Sequence, residues 1–255
     1  MNPIALSQGQ LAAFARDGYV VVPDVVPEAL LVAVDAEIDR RIATEPPPSD
    51  ARGPHFYFDP ADQLPAADAA LRESGALGLA DSLVAPHHLR HADGYGIIQI
   101  ALNIPPFMHW PGSPHLDGYH GDDQPRPFTM LAAIFLTDEV EPNRGNVWVW
   151  PGSHIDHGRL FRERGVEALL GPAGGHTGLV QPPFPLQAPR PVLAQRGDLL
   201  LAHYLLGHNT GGNAADHIRR TLYFRLGCEH TAAQWQEVML DPFLEYPRLR
   251  SLADA

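Results

Sequence analysis

The chain has 255 residues, 45% of them hydrophobic, enough to bury a sizeable core in one or two domains, and it reads as one. Its formal net charge of −12 argues against a general nucleic-acid or anionic-membrane binder, both of which need a basic surface. All 18 basic residues are arginine, which excludes lysine Schiff-base chemistry, and the single cysteine, Cys228, excludes an intrachain disulfide or a four-cysteine metal site.

In chain order, the start MNPIALSQGQLAAFARDGY lacks the basic and then apolar pattern of a secretory signal. No apolar run reaches membrane-spanning length, so a soluble, cytoplasmic protein is expected. Ser7 followed by Gln10 predicts a capping box, with Leu11, Ala12 and Phe14 at helical spacing and Gly18 as the stop. YVVV at 19–22 predicts a short buried strand. Pro27 opens a second helix with Leu30, Leu31, Val34 and Ile38 on one face, which Pro46 to Pro48 end. The proline-rich, polar stretch that runs on to about residue 66 reads as a surface loop or lid. A short helical region is expected around 68–85, then strands at 95–104, 128–137, 146–150, 191–194, 198–204 and 220–226, with further helices at 158–170 and 232–240. Strands of this length between Gly and Pro turns indicate a mainly β sandwich or barrel with peripheral helices, since a doubly wound sheet would need helices between them. The division expected is a helical part to about residue 90, a β core over about 91–230 and a short helical tail, all in one domain.

Two segments carry the chemistry, HLDGYHG at 115–121 and GDLLLAHYLLGHNTGGNAADHIRR at 197–220. On a strand, His115 and Asp117 project from one face, and a distal histidine would complete a two-histidine, one-carboxylate site that leaves positions open on non-haem iron. An H-x-D tripeptide is weak evidence alone, because the 14 histidines include three others, His91/Asp93, His120/Asp122 and His154/Asp156. His154 in WPGSH is better explained by backbone capping, whereas His120/Asp122 is the serious rival. Of the distal candidates, His203 lies in the apolar run LLLAHYLL and reads as a core histidine, while His208 stands where a strand opens into a polar turn. Arg219, eleven residues on, offers a planar fork suited to a carboxylate.

These segments, with FARDGYVVVPDVVP near the start and NRGNVWVWPGSH at 143–154, resemble the phytanoyl-CoA dioxygenase family of Fe(II)/2-oxoglutarate oxygenases. The resemblance implies a double-stranded β-helix (jelly-roll, cupin-like) core and a metal triad of His115, Asp117 and His208. It further implies Arg219 as the co-substrate arginine, with Arg220 as the fallback, and Thr210 and Asn103 as additional 2-oxoglutarate contacts. Two departures stand out: the position after the first ligand, often glutamine, is Leu116, and the turn before the PGSH motif reads Asn-Arg-Gly-Asn.

The implied cofactors are Fe(II), 2-oxoglutarate and O2, with release of succinate and carbon dioxide. Halogenating relatives lack the carboxylate that Asp117 supplies here, so its presence favours hydroxylation, while desaturation, cyclisation and epimerisation share the same ligands. An acyl-CoA substrate would call for a cationic patch, and only Arg159, Arg162 and Arg164 cluster. A small polar or cationic metabolite contacting Gln99 and His120 is expected instead. Two other classes stay open: a cupin-like metal isomerase or hydrolase that makes no succinate, and a catalytically silent binding protein on this scaffold.

Overall fold

The computed structural model describes residues 5–91, 96–118, 127–169 and 185–253. Helix α1 (Gln8–Asp17) opens on the expected capping box: the Ser7 N–H donates to Gln10 Oε1 at 2.8 Å and the Gln10 N–H to Ser7 Oγ at 3.3 Å. Gly18, at φ 82°, ends it by donating to Phe14 O, and the chain turns at once into β1 (Tyr19–Val22). Helix α2 (Glu28–Thr44) follows Pro27 and buries Leu31, Val34 and Ile38.

The stretch expected to be a loop or lid contains a strand, β2 (Gly53–Pro60). It escapes sequence reading because Pro54 and Pro60 lie within it. Proline is tolerated there because β2 is an edge strand, bonded only to β4. Two helices, α3 (Pro65–Glu73) and α4 (Ala76–Val84), then lead to β3 (Leu89–His91), β4 (Ile97–Ile104), β5 (Met130–Phe135) and β6 (Val147–Val149). Helix α5 (Ser153–Arg164) starts five residues before the expected 158, directly after the turn at Gly152, and ends at Gly165, beyond which a short 3-10 helix (Val166–Leu169) carries the helical span almost to the expected 170. The remaining elements are β7 (Arg190–Pro191), β8 (Leu199–His203), β9 (His208–Thr210), β10 (Arg219–Cys228), α6 (Trp235–Leu240) and α7 (Arg250–Ala253). Of the strand expected at 191–194, only the first residue belongs to β7; Ala194 makes an isolated bridge to Glu139.

The strands form two antiparallel sheets. One runs β1-β8-β5-β10-β4-β2, with β3 also on β10; the other runs β7-β6-β9. Alternation along the central strands separates two cores. Ile98, Ile100, Met130, Ile134, Leu222 and Phe224 pack on one face with α1 to α4. Ala101, Leu131, Phe135, Leu200 and Tyr223 pack on the other against Val147 and Val149 of the small sheet. The larger sheet is therefore backed by helices and faces the smaller one, and the cavity described next lies between the two sheets. Truncating a fully buried side chain such as Leu222 or Ile100 to alanine costs about 2–5 kcal/mol. Among the described residues, no helix is long and apolar enough to cross a membrane.

Candidate metal centre

His115 and His208 are brought together by the backbone. The His115 N–H donates to His208 O at 3.0 Å and the His208 N–H to His115 O at 3.2 Å, an isolated antiparallel bridge. Residues directly opposite in such a pair present their side chains on the same face, and the two imidazoles lie with ring centroids 4.4 Å apart. Asp117 follows two residues after His115, and Leu116 between them turns into the core, 2% exposed. The position where relatives often carry glutamine is thus filled by a packing residue.

One Asp117 oxygen, Oδ1, stands 3.5 Å from His115 Nε2 and 3.7 Å from His208 Nε2. Potential ligand atoms of the three residues all lie within 4.8 Å of one another, a spacing that an ion bonding at about 2.0–2.2 Å can bridge. The His208 ring is fixed by its Nδ1, 3.0 Å from Leu206 O, which leaves Nε2 for the metal. The second Asp117 oxygen, Oδ2, accepts from Arg225 Nη2 at 2.5 Å, so one oxygen is tied and the other faces the histidines. Burial pushes the Asp117 carboxyl up, but Arg225 and the hydrogen bonds from His115 and His208 outweigh it and hold the group well below the usual carboxylate range. Burial lowers His115; it works against the His208 charge as well, but Asp117 reverses the sign and raises that histidine.

Two of the competing histidines are held by the backbone away from the triad. His203 Nε2 lies 2.6 Å from Pro242 O, and its Nδ1 accepts the Leu205 N–H at 2.9 Å, so both nitrogens have backbone partners. His154 Nε2 contacts Ala15 O at 3.2 Å, and the neighbouring Ser153 hydroxyl accepts the Gly207 N–H. His120 with Asp122, and Asp93, lie outside the described residues.

The cavity, of about 340 Å3, draws its wall from both sheets: Ala101, Leu131 and Tyr223 on the larger, Val147, His208 and Thr210 on the smaller. Arg219 also lines it while being only 2% exposed. Its Nε donates to Glu139 Oε1 at 2.9 Å and its Nη2 to Tyr223 Oη at 3.0 Å, and Thr221 Oγ1 donates to the same Glu139 oxygen at 3.1 Å. Burial works against the Arg219 charge, and Glu139 and Tyr223 together more than compensate, so the guanidinium stays protonated. Burial pushes the Glu139 carboxyl above its ordinary range, with Arg219 offsetting part of that rise.

Of the other expected contacts, Thr210 and Gln99 line the cavity. Asn103 does not reach the wall: it is fully buried, its Nδ2 donates to Gly211 O at 2.9 Å, and it braces the glycine turn after His208. Arg220 is drawn away to Asp39 at 2.8 Å on the helical side.

Three residues that sequence reading passed over shape the site. Arg225 anchors Asp117. Glu139 anchors Arg219. Asn209 donates from Nδ2 to Pro111 O at 2.6 Å and Ser113 O at 2.7 Å, which ties the segment before His115 to the strand that carries His208. The alternation Arg219, Tyr223, Arg225 on one strand face was a usable signal for the first of these; the partners of Glu139 and Asn209 are distant in sequence and left none.

The family model for phytanoyl-CoA dioxygenase (PhyH) matches residues 14–221, a span that includes His115, Asp117, His208 and Arg219. Among solved structures, HygX from Streptomyces hygroscopicus with nickel and 2-oxoglutarate bound is similar with a TM-score of 0.60 at 23% identity, covering 88% of each chain. The epimerase SnoN in complex with Fe3+, alpha ketoglutarate and nogalamycin RO has a TM-score of 0.60 at 23% identity, covering 86% of this chain and 82% of its own. EctD from S. alaskensis with 2-oxoglutarate and 5-hydroxyectoine has a TM-score of 0.57 at 16% identity, covering 89% and 78%. At these identities the likeness is one of fold. No curated protein matches the chain.

Proposed function

The chain belongs to the phytanoyl-CoA dioxygenase family, and from that premise we propose that it is an Fe(II)- and 2-oxoglutarate-dependent oxygenase that hydroxylates a small molecule. The observation that carries this is the convergence in one cavity of His115, Asp117 and His208 with a charge-balanced arginine, Arg219. In this reading the two facing sheets are a double-stranded β-helix core and the whole chain is one oxygenase domain.

The donor set suits the group. Two imidazoles and a carboxylate with one oxygen turned to them match the ligand preference of non-haem Fe(II) and leave positions open for a chelating co-substrate and O2. Bound iron with 2-oxoglutarate supplies O2 activation and the oxidising equivalents, giving succinate, carbon dioxide and an oxidised substrate C–H bond.

The chain's residues do the rest. His115, Asp117 and His208 hold the metal, with the His208 ring oriented through Leu206. Arg219 grips the far carboxylate of 2-oxoglutarate: its Nη1 has no hydrogen-bond partner among the described residues, while Nε is already fixed by Glu139 and Nη2 by Tyr223. Holding the fork in place beforehand reduces the ordering cost of binding. The Thr210 hydroxyl, on the strand of His208, adds a polar contact. Leu131, Val147 and Ala101 wall the cavity and exclude water from the reacting centre. Retention of Asp117, where a halogenating relative would leave room for a halide, favours hydroxylation.

The test is anaerobic addition of 2-oxoglutarate to the Fe(II)-loaded protein, followed by its weak visible charge-transfer band. The band is expected in the wild type, with a higher 2-oxoglutarate requirement in Arg219→Lys and a greater one in Arg219→Gln. Iron binding with no band in the wild type would refute the reading in favour of a metal isomerase or hydrolase.

A further inference from the structure

Resting on that reading of the site, we propose that the substrate carries a carboxylate, paired by Arg225, on a flat apolar body that lies against Phe56 and Phe58. Arg225 stands on β10, on the same cavity-facing side as Arg219 and Tyr223. Its Nη2 is shared between Asp117 Oδ2 at 2.5 Å and Gln99 Oε1 at 2.9 Å. Nη1 and Nε have no hydrogen-bond partner among the described residues, although the side chain is only 25% exposed. A guanidinium has five donors in a fork, so the unengaged edge is a ready seat for a carboxylate.

The charge balance points the same way. Among the described residues that line the cavity, Asp117 is the only carboxylate, and a metal claims it. Arg219 has Glu139 behind it as its own counter-charge, whereas among the described residues Arg225 has only the carboxylate it shares with the metal site. Among the described residues, a cationic substrate would thus find no acidic partner beyond Asp117 and would face a cation, whereas an anionic one neutralises Arg225. The proposal thus departs from the small polar or cationic metabolite expected from the sequence, of whose two expected contacts Gln99 lines the cavity and His120 lies outside the described residues. Gln99, whose carbonyl accepts from Arg225, is left with amide donors, which also suit an acid.

The aromatic wall follows from β2. Phe56 and Phe58 line the cavity and are 42% and 53% exposed, while Tyr57 and Asp59 between and beyond them are buried. The edge strand therefore turns its apolar rings toward the cavity and buries a carboxylate on the other side, where Asp59 pairs with Arg41. The Arg225 guanidinium lies 6.0 Å from the Phe58 ring centroid, so a carboxylate seated on Arg225 brings the attached body beside that ring.

The experiment uses full-length protein loaded with redox-silent Ni(II). Binding of 2-oxoglutarate is measured first by calorimetry; absence of that binding is the failure of the oxygenase reading itself. With 2-oxoglutarate saturating, 3-phenylpropanoate, 3-phenylpropanamide and 3-phenylpropylamine are then titrated as matched probes. The acid is expected to bind about tenfold or more tighter than the amide or amine, the gain of one charge-assisted contact. Arg225→Gln is expected to erase the preference, Arg225→Lys to keep part of it, and Phe58→Ala to weaken acid and amide alike with their ratio unchanged. An amine that binds as well as the acid, an acid that binds only by expelling 2-oxoglutarate, or no binding by any of the three overturns the proposal.

Discussion

Arg219 and Glu139 form an ion pair sealed from water, with Nε 2.9 Å from Oε1 and side chains 3% and 0% exposed. A buried pair of this kind contributes little net stability, yet removing one member strands the other in a low-dielectric interior. Glu139→Ala is accordingly expected to lower stability by about 3–5 kcal/mol in urea titration. Glu139→Gln keeps the shape and an acceptor and should lose less. Equal stability of Glu139→Ala and the wild type would show that the pair does not hold Arg219.

His208 and His203 lie five residues apart and are expected to fail in different ways. His208→Ala should abolish retention of Fe(II) after dialysis while leaving the unfolding midpoint close to wild type. His203→Ala should retain metal but lose roughly 1–3 kcal/mol, because the Pro242 carbonyl and Leu205 N–H would lose their buried partner. Metal loss in His203→Ala with retention in His208→Ala would reverse the ligand assignment.

Three buried histidines make the fold acid-sensitive. Burial lowers His157 and His203 to about 4 and drives His154 well below its ordinary value. Above about pH 6.5 these imidazoles are neutral in both folded and unfolded chains and contribute no pH dependence. Below that the unfolded chain takes up protons that the folded one refuses. Stability should therefore fall as pH drops from about 6.5 toward 4, by up to about 1.4 kcal/mol per pH unit for each histidine. Denaturant midpoints at pH 7, 6 and 5 test this, and replacing His157 by Gln should flatten the slope.

Gly145 has φ +85°, and a Cβ there would come 2.7 Å from Arg219 Cβ and 3.2 Å from Asn103 Cβ. The Asn-Arg-Gly-Asn turn thus lies directly against the arginine proposed to hold 2-oxoglutarate. Gly145→Ala combines a strained backbone with a clash and should cost about 1–3 kcal/mol. It should also weaken 2-oxoglutarate binding in calorimetry while sparing metal binding, since the atoms nearest to this position belong to Arg219 and Asn103 and not to the metal triad. Unchanged co-substrate affinity would place the turn outside the binding machinery.

The local signals held well where chain neighbours decide the outcome. Ser7 with Gln10, Gly18 and YVVV specify α1, its stop and β1 through contacts a few residues long. The strands at 97–104, 130–135 and 219–228 follow from short segments rich in apolar and aromatic residues, bounded by Gly and Pro turns and too short for helices of ordinary length. By contrast, β2 was hidden by its prolines, because whether a proline is tolerated depends on the strand having a free edge, a property of the sheet.

For the site, the sequence alone determined the residue types and the two-residue spacing of His115 and Asp117, and motif resemblance supplied His208 and Arg219 as their companions; in place of the strand expected to align the first two, the structure has a single bridge at His115 and a bend at Asp117. Only the tertiary structure decided how these residues are held. The bridge between His115 and His208 spans 93 residues, the Glu139–Arg219 pair 80 and the Arg225–Asp117 contact 108. No local pattern encodes such pairings, because they arise from sheet register and from the requirement that each buried charge meet an opposite one. Asn103 marks the same boundary: its place in the chain suggested a co-substrate contact, and the fold turned its amide onto Gly211 because a buried donor must find the nearest acceptor.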